Sequence, residues 1–515
     1  MDSRSQTLSL RLGFAAAALV AAALLLPLVW VIWRAEGLGL LHASDLAALW
    51  FTLWQATLSA AISCLLAIPV ARALARRSFP GRGALVILLG APFILPVIVA
   101  VLGLIAVFGR SGVINSALTW LGLPEISIYG AQGVILAHVF FNMPLATRLI
   151  LQGWSTIPAE HFRTAASLGF RPWDTLRHLE VPMLARVLPG IFLVIFLICT
   201  TSFAIALALG GGPRATTVEL AIYQAFRFDF DLGRAASLAI VQLAIGVGAT
   251  LLALRLSPAG SFGPGQDHLH RRWDSASSSL RLQDAGVLTL ATLFLVLPMA
   301  LVLRGGLGAL VDLPVSVWHA TLRSAIIAML AAGLTISLAL TLALATAQAR
   351  RPGGFEAIGM LAISASPLVL GTRLYLMLLP WTNPIALALP ITLLVNVLLS
   401  LPFAIRGLLP ETRVLLADYG RLSASLGLSG WAWLRLVAIP RLRRPMGFAA
   451  GLSAALAAGD LGVIALFASP NQATLPLQVF QLMGAYRMEE AKAAALILVV
   501  LSLSLFWIFE RGGRR

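Results

Sequence analysis

The chain has 515 residues, of which 59% are hydrophobic and only 11% are charged. A soluble domain carries roughly 25% charged residues, so this chain has too few polar side chains to cover a water-soluble surface of its size. The net charge is +16, and all basic residues except Lys492 are arginines. No basic stripe with interleaved aromatic residues accompanies this charge, which argues against a nucleic-acid-binding protein.

Apolar runs of about twenty residues recur along the whole chain. Each is long enough to cross the roughly 30 Å hydrocarbon core of a bilayer as a helix. The run 14–33 is apolar on every face, which favours helices over the alternating strands of a membrane barrel. We therefore predict an all-α membrane protein with twelve transmembrane helices. The predicted spans are 12–33, 49–71, 84–108, 131–151, 187–209 and 235–256 in the first half, and 284–303, 319–347, 357–379, 384–405, 446–468 and 493–510 in the second.

A stretch rich in Ser, Gly and Pro separates the first six spans from the last six. It covers 257–282, and such a composition is typical of a flexible linker. We therefore predict a first repeat over 1–256, a cytoplasmic linker over 257–282 and a second repeat over 283–515.

One polar stretch occurs once in each half. Residues 160–182 read EHFRTAASLGFRPWDTLRHLEVP, and residues 418–440 read DYGRLSASLGLSGWAWLRLVAIP, at a constant offset of 258. Identical residues at matched positions include Arg163 and Arg421, and a Leu-Gly pair follows in both copies. A polar segment kept at one register in both halves indicates a surface that a partner outside the membrane holds.

Two further blocks extend the repeat upstream. Residues 138–148 match 396–406 at the same offset, and the triplet ATL at 56–58 matches ATL at 320–322 at an offset of 264. Because each half has six spans, both halves cross the membrane in the same sense. The repeat is therefore predicted to be parallel, with a pseudo-two-fold axis along the membrane normal, as in many transporters.

The distribution of basic residues predicts the orientation of the chain. With both termini in the cytoplasm, 27 of the 37 basic residues lie on the cytoplasmic side. Cytoplasmic loops are enriched in Lys and Arg, so this orientation is the favoured one. It places both copies of the polar stretch in the cytoplasm.

The local sequence of the polar stretch predicts two short helices around a turn. Residues 158–168 favour a helix, and Gly169 can adopt the left-handed conformation that ends one. A second short helix is expected over 172–181, closed by Pro182. The stretch 158–182 and its counterpart 416–440 would then form two compact loops on the membrane surface.

These loops resemble the cytoplasmic signature of ABC-importer permeases. In that family a Glu-Ala-Ala triplet is followed by a glycine, and nine further residues lead to an Ile-x-Leu-Pro-like end. Gly169 and Gly427 are each followed, after nine residues, by a four-residue segment that ends in proline. The departure is at the acid, because Arg163 and Arg421 occupy its position and acidic residues lie one helical turn earlier. The residues that the resemblance assigns to ATPase coupling are Glu160, Arg163, Ala165, Ala166, Gly169 and Pro182, and Asp418, Arg421, Ala424, Gly427 and Pro440.

The resemblance implies that the motor is a separate protein. A nucleotide-binding loop of the form GxxxxGK[ST] is missing, because the sole lysine, Lys492, has no glycine-rich loop before it. We therefore expect a transport subunit without catalytic residues and without a cofactor, with ATP bound by two copies of a cytoplasmic ATPase. Cys64 and Cys199 lie inside apolar runs, and no metal site is expected.

A narrower resemblance indicates the transported ligand. Permeases fused in tandem as twelve spans are typical of importers of ferric iron, thiamine and related substrates. Residues 208–236 and 459–487 are similar to the corresponding stretches of thiamine permeases. The resemblance implies a bacterial inner-membrane permease for thiamine and its phosphates, supplied by a periplasmic binding protein. The alternatives are a ferric-iron importer, an ion-driven secondary transporter, and a channel or scaffold.

Four residues are predicted to line the transport path or its gate. Asp460 lies deep in the eleventh predicted span, where an ionisable group is costly and by default marks a pathway or a partner. Ser202 occupies the matching position in the first half at the offset of 258. Glu219 and Tyr223 lie in a polar stretch that the predicted topology places at the periplasmic face. An acid on the path would suit the fixed positive charge of thiamine.

Overall fold

The computed structural model of the chain describes residues 3–34, 39–90, 92, 94–210, 212, 215–256, 278–349, 353–355, 358, 366–467 and 472–514. Regular secondary structure in this part of the chain is helical throughout. The predicted linker 257–282 lies almost entirely outside the described residues, so the division into 1–256 and 283–515 stays a prediction.

Among the described residues, the first half is built from twelve α-helices and one short π-helical turn. They are α1 (Ser3–Arg34), α2 (Ala43–Arg76), α3 (Arg82–Leu88), α4 (Val97–Phe108), α5 (Val113–Trp120), α6 (Ala131–Ser155), α7 (Ala159–Ser167), α8 (Pro172–Thr175), the π turn Leu176–Glu180, α9 (Val181–Thr200), α10 (Phe203–Leu209), α11 (Val218–Arg227) and α12 (Leu232–Leu256).

The second half repeats this order with fewer breaks. Its elements are α13 (Ser278–Gly308), α14 (Val315–Gln348), α15 (Pro367–Leu378), α16 (Ala388–Ser425), α17 (Gly430–Trp433), the π turn Leu434–Ala438, α18 (Ile439–Gly459), α19 (Gly462–Phe467), α20 (Leu475–Gly484) and α21 (Met488–Arg514).

Eleven of the twelve predicted spans have a matching membrane helix. Eleven segments of the described part are long and apolar enough to cross a membrane. The remaining predicted span, 357–379, contains the shorter apolar helix α15, and its earlier residues lie largely outside the described part. The predicted all-α membrane fold is therefore confirmed.

Several predicted boundaries were wrong because helices break or continue where hydropathy is uniform. The predicted span 84–108 is divided between α3 and α4. Pro92 and Pro96 fall between them, and two nearby prolines remove two backbone donors that a helix needs. In contrast, the predicted span 384–405 continues as one helix to Ser425, so the first part of the second polar loop belongs to a membrane helix.

Matched hydrogen bonds show the parallel repeat directly. The hydroxyl of Thr52 on α2 accepts a bond of 2.9 Å from the N–H of Val218 at the start of α11. The hydroxyl of Ser324 on α14 accepts one of 2.8 Å from the N–H of Leu475 at the start of α20. Residues of α2 are therefore equivalent to residues of α14 that lie 272 positions later. The offset of 264 predicted from the ATL triplets was wrong by about two helical turns.

The two halves exchange their first helices. α1 packs against α14 and α15, and α13 packs against α2 and α4. The hydroxyl of Ser9 on α1 donates to the side chain of Gln348 on α14 at 2.6 Å. The guanidinium of Arg77 on α2 donates to the carboxylate of Asp284 on α13 at 2.6 Å. Each half is thus held by a helix of the other.

Both polar loops lie on one face of the molecule, which we call the loop face. α13 begins beside the end of α2, where Arg77 meets Asp284. α13 ends against the start of α21, where the backbones of Gly306 and Lys492 are in contact. The last turn of α21 returns to the start of α18, which follows the second loop. The first loop contacts the end of α2, so both loops share this face.

A buried ion pair fixes the opposite face of the first half. The guanidinium of Arg234, at the start of α12, donates to the carboxylate of Asp45 on α2 at 2.7 Å, and the Asp45 side chain is 1% exposed. Removing one partner of a buried pair leaves the other charge unpaired, which costs about 3 kcal/mol.

We expect Asp45→Ala to lower the melting temperature of the purified protein markedly, since it leaves Arg234 without this carboxylate. The matched control is Glu490→Ala, which breaks the more exposed pair with Arg487 and should cost less than about 1 kcal/mol. Thermal unfolding in detergent measures both variants. Equal shifts for the two would contradict the structural role of the Asp45 pair.

Candidate functional site: two matched loops and a polar seam

The first loop turns on a glycine in the left-handed conformation. α7 ends at Ser167, and Gly169 follows with φ of 68°. The N–H of Gly169 donates to the carbonyl of Ala166 at 3.1 Å, and that of Phe170 to the carbonyl of Ala165 at 3.0 Å. This pair of bonds is the Schellman motif, which satisfies the last carbonyls of the helix.

The second loop has the same turn. Gly427 has φ of 63° and donates to the carbonyl of Ala424 at 3.1 Å. The N–H of Leu428 donates to the carbonyl of Ser423 at 2.9 Å. Identical hydrogen bonds at an offset of 258 mean that the two loops present the same backbone shape.

Pro182 and Pro440 do not end a helix, contrary to the prediction. In both copies the helix after the turn continues through the proline into a membrane helix. A π turn precedes each proline, and Val181 donates its N–H to the carbonyl five residues earlier rather than four. Ile439 does the same in the second copy. The wider turn relieves the clash of the proline ring with the carbonyl four residues before it.

Most of the predicted coupling residues are exposed. Glu160, Arg163, Ala166 and Gly169 point away from the protein. Ala165 is the exception, since it is 3% exposed and packs inward, and its part in ATPase coupling stays a prediction. The exposed counterparts in the second loop are Asp418, Arg421, Ala424 and Gly427.

Two exposed apolar residues of each loop were missed in the sequence. Leu168 and Trp173 are each 67% exposed, and their counterparts Leu426 and Trp431 are 63% and 69% exposed. The signal was present, because all four recur at the offset of 258. Together with the glycine turn and the exposed arginine, the leucine and tryptophan form what we call the loop face patch of each copy.

The residues predicted for the transport path lie at two matched helix breaks. Ser202 stands between α9 and α10, and Asp460 stands between α18 and α19. One carboxylate oxygen of Asp460 accepts a bond of 3.1 Å from the N–H of Gly462. The other carboxylate oxygen is buried without a partner in the described part of the chain. Broken helices are where transporters place their binding sites, because only there is membrane-buried backbone free to contact a ligand.

The break at Asp460 faces the first half. A side chain added at Gly459 would come within 3.1 Å of the backbone of Pro96, which precedes α4. Asp460 therefore lies where the two halves meet. Among the described residues, no hydrogen bond joins Asp460 to Ser202.

Glu219 and Tyr223 are buried, although the predicted topology put them at an external surface. The Glu219 carboxylate is 0% exposed. It accepts a hydrogen bond of 3.3 Å from the side chain of Gln242. Tyr223 packs its ring 5.2 Å from that of Phe203. In this conformation neither residue can form a docking surface, and their role as a gate stays a prediction.

Arg373 on α15 belongs to the same region and was overlooked. Its side chain is 2% exposed, and it donates to the carbonyl of Ala239 on α12 at 3.1 Å. Its Nε atom has no partner among the described residues. An arginine within an apolar helix marks a functional hypothesis by default, which is the signal that sequence reasoning passed over. Arg373, Glu219 and Asp460 are ionisable residues close to the boundary between the halves, and we refer to them together as the polar seam.

The fold and the two loops define a membrane transport component, and comparison with known proteins agrees. Residues 63–259 match the family model described as "Binding-protein-dependent transport system inner membrane component". This match places the chain among multi-pass inner-membrane permeases. It covers the first loop and most of the first half.

Curated relatives match nearly the whole chain. The chain is 42% identical over 470 residues to the thiamine transport system permease protein ThiP of Brucella abortus (strain 2308), covering 90% of this chain and 86% of that protein. It is 39% identical over 525 residues to ThiP of Escherichia coli (strain K12), covering 97% and 96%. It is 32% identical over 467 residues to ThiP of Haemophilus influenzae, covering 88% and 86%. The chain therefore belongs to the ThiP family of thiamine transport permeases.

Proposed function

We propose that this chain is the permease subunit of an ABC importer that carries thiamine and its phosphates into the cytoplasm. The ligand follows from the family, whose members are named for thiamine transport. The family description names a binding-protein-dependent system, so a periplasmic binding protein would deliver the ligand to the face opposite the loops. The chain itself would carry out no chemical step.

The observation that carries the proposal is the pair of matched loop face patches. Each presents an exposed Leu, Gly and Trp at the same register on the same face. Such a surface is apolar, and exposed apolar patches mark sites of interaction with another protein or a membrane. Two identical patches fit two copies of one ATPase, each taking one loop into a groove.

Charge complements the apolar contact. Glu160 and Asp418 lie beside the patches, and neither pairs with a charged residue in the described part of the chain. Arg163 and Arg421 lie one turn further on in each copy. Each loop therefore presents both an acidic and a basic side chain, and the proposed ATPase groove would offer the opposite charges. Glu160 and Asp418 would take the place of the acid in the family signature.

Alternating access follows from the exchange of helices and the polar seam. Closure of the two ATPase copies would draw the loops together, and the halves would then rock about the pseudo-two-fold axis. Asp460, at its helix break, would meet the positive charge of thiamine as the seam opens. Ser202, Glu219 and Tyr223 would line the path or its gate.

The basic residues support the orientation. The loop face carries the ends of α2 and α21 and the start of α18, which are rich in arginine. Cytoplasmic segments carry this excess. We infer that the loop face is cytoplasmic and that both termini lie on that side of the bacterial inner membrane.

Reconstituted vesicles test the proposed function. The permease is purified with its ATPase, and uptake of labelled thiamine is measured with ATP inside and the cognate binding protein outside. We expect uptake that needs both additions and that excess ferric iron does not reduce. Uptake driven by an ion gradient without ATP would instead indicate a secondary transporter, and uptake of iron alone would indicate a ferric-iron importer.

A glycine series tests whether the loops must keep their shape. An added Cβ meets nothing within 4 Å at Gly169 or Gly427, so the cost of Gly→Ala is the left-handed backbone, about 1 kcal/mol per residue. We expect the double alanine variant to retain less ATPase during purification than wild type. The double asparagine variant should retain more than the alanine variant, because Asn tolerates this conformation.

The control for that series is Gly407→Ala. Gly407 lies inside α16, and a Cβ there also meets nothing within 4 Å. Alanine favours a helix more than glycine does, so this variant should retain as much ATPase as wild type. Equal retention by all variants would contradict the proposed role of the turn.

A further inference from the structure

The two loops look alike from outside but are anchored differently behind their patches. In the first half the guanidinium of Arg72, near the end of α2, lies 2.7 Å from the carboxylate of Glu180. The Glu180 side chain is 0% exposed and that of Arg72 is 16% exposed. Arg72 also donates to the carbonyl of Pro172 at 3.4 Å, so it holds both the beginning and the end of the segment 172–180.

The second half fills the same positions with apolar residues. At the structural register of 272, Arg72 corresponds to Leu344, and at the offset of 258, Glu180 corresponds to Ala438. Leu344 and Ala438 pack together with Trp433 in a small apolar cluster. A polar bond behind this cluster joins the indole N–H of Trp433 to the hydroxyl of Ser423 at 3.2 Å.

Stability alone does not explain this asymmetry. A buried ion pair loses hydration when it forms, and well-packed apolar residues commonly replace one without loss of stability. The second half shows that apolar residues can fill these positions. Two opposite charges in contact away from bulk water attract each other strongly, whereas apolar contact is non-directional and lets surfaces slide.

The ion pair also connects the first loop to the other half. Beyond Arg72, the end of α2 carries Arg76 and Arg77, whose side chains lie 3.6 Å and 2.6 Å from the carboxylate of Asp284. Asp284 is on α13, the first helix of the second half. α2 therefore carries two separate ion pairs, one to the first loop and one to α13.

We propose that Arg72 and Glu180 are positioning residues that make the two loops unequal. The first loop is fixed to α2 and moves α13 with it, whereas the second loop slides over α14. This inference rests on the proposed function, because it assumes that an ATPase moves both loops. It adds that the movement of the ATPase is passed to the transport path chiefly through the first loop.

The test places the apolar residues of the second half at the matching positions of the first half. The variant Arg72→Leu with Glu180→Ala should still bind the ATPase and support ATP hydrolysis, because both patches are unchanged. Thiamine taken up per ATP hydrolysed should fall by about fivefold or more, which is the lower end of ordinary coupling between sites. The control is Ser423→Ala, which removes the polar bond behind the second loop and should leave the ratio near that of wild type.

A second variant keeps the test decisive if the first does not fold. The reversed pair, Arg72→Glu with Glu180→Arg, restores opposite charges and should recover part of the uptake lost in Glu180→Gln alone. A wild-type ratio in the apolar variant, or equal losses in the apolar variant and in Ser423→Ala, would overturn the inference. Failure of wild type to bind any ATPase would instead overturn the proposed function.

Discussion

Replacing both exposed loop tryptophans, Trp173→Ala with Trp431→Ala, is expected to leave the permease in the membrane at normal level and to remove the ATPase from it. Both side chains are about two-thirds exposed, so their loss creates no cavity in this chain. Uptake of thiamine should fall with the bound ATPase. The measurement is the amount of ATPase that remains on the affinity-purified permease, followed by uptake in vesicles.

The size of this effect follows from what tryptophan does at interfaces. A buried tryptophan at the centre of a protein interface typically costs about 2 kcal/mol or more when truncated, which is roughly thirtyfold in affinity. Because the two loops bind separately, each single variant should lose affinity at one loop and keep the other ATPase copy. The single variants should therefore retain an intermediate amount of ATPase.

Two other exposed tryptophans provide matched controls. Trp120, at the end of α5, is 85% exposed, and Trp381, before α16, is 77% exposed. Trp381 lies near the opposite end of α16 from the second loop. The double variant Trp120→Ala with Trp381→Ala should retain the ATPase. Loss of the ATPase in this control, or its retention after removal of Trp173 and Trp431, would contradict the proposed docking surface.

The fold class and the two loops could be predicted from the sequence because both depend on strong local contrasts. An apolar run of twenty residues has few alternatives in water or lipid. A polar segment between such runs is conspicuous, and its recurrence in the second half indicated a surface that binds a partner. The turn at Gly169 was also predictable, since glycine at the end of a helix favours the left-handed cap.

Features that depend on packing between distant segments could not be read in the same way. Hydropathy is uniform across the breaks at Ser202 and Asp460, so the predicted spans crossed them. The exchange of α1 and α13 involves contacts between residues hundreds of positions apart. The register of α2 on α14 was misread because three identical residues are weaker evidence than the hydrogen bond that Thr52 and Ser324 each make.

The π turns illustrate how a local rule is overridden. Proline normally ends or kinks a helix, which is why Pro182 was predicted to close one. The structure keeps the helix by widening the preceding turn, and it does so in both halves. Such π turns are frequent at functional sites. Here each π turn joins a loop to the membrane helix that follows it.

Asp460→Asn is expected to lower ATP-driven thiamine uptake by about tenfold or more, while ATPase binding stays unchanged. Asparagine keeps the size of the side chain and an oxygen that can accept the N–H of Gly462, but it removes the negative charge. A hydrogen bond or contact to a charged group contributes about 1.5–3 kcal/mol, which sets the expected loss for a cationic ligand. Initial uptake rates at several thiamine concentrations measure the effect.

A second substitution separates the charge of Asp460 from its structural bond. Asp460→Ala removes both the charge and the acceptor for Gly462, so it should lose uptake and also lower the melting temperature. Glu489→Gln is the control for a charge change alone, since Glu489 is 65% exposed on α21, and it should transport normally. The two Asp460 variants should therefore differ in thermal stability but not in the loss of uptake.

The opposite pattern would give Asp460 a purely structural role. If Asp460→Asn transports as wild type and only Asp460→Ala fails, the carboxylate serves to hold the start of α19. The unpartnered carboxylate oxygen argues for the first result, because a buried acid that only supports a helix needs no second free acceptor. Its place at a helix break between the halves is where we propose that the positive charge of thiamine meets this oxygen.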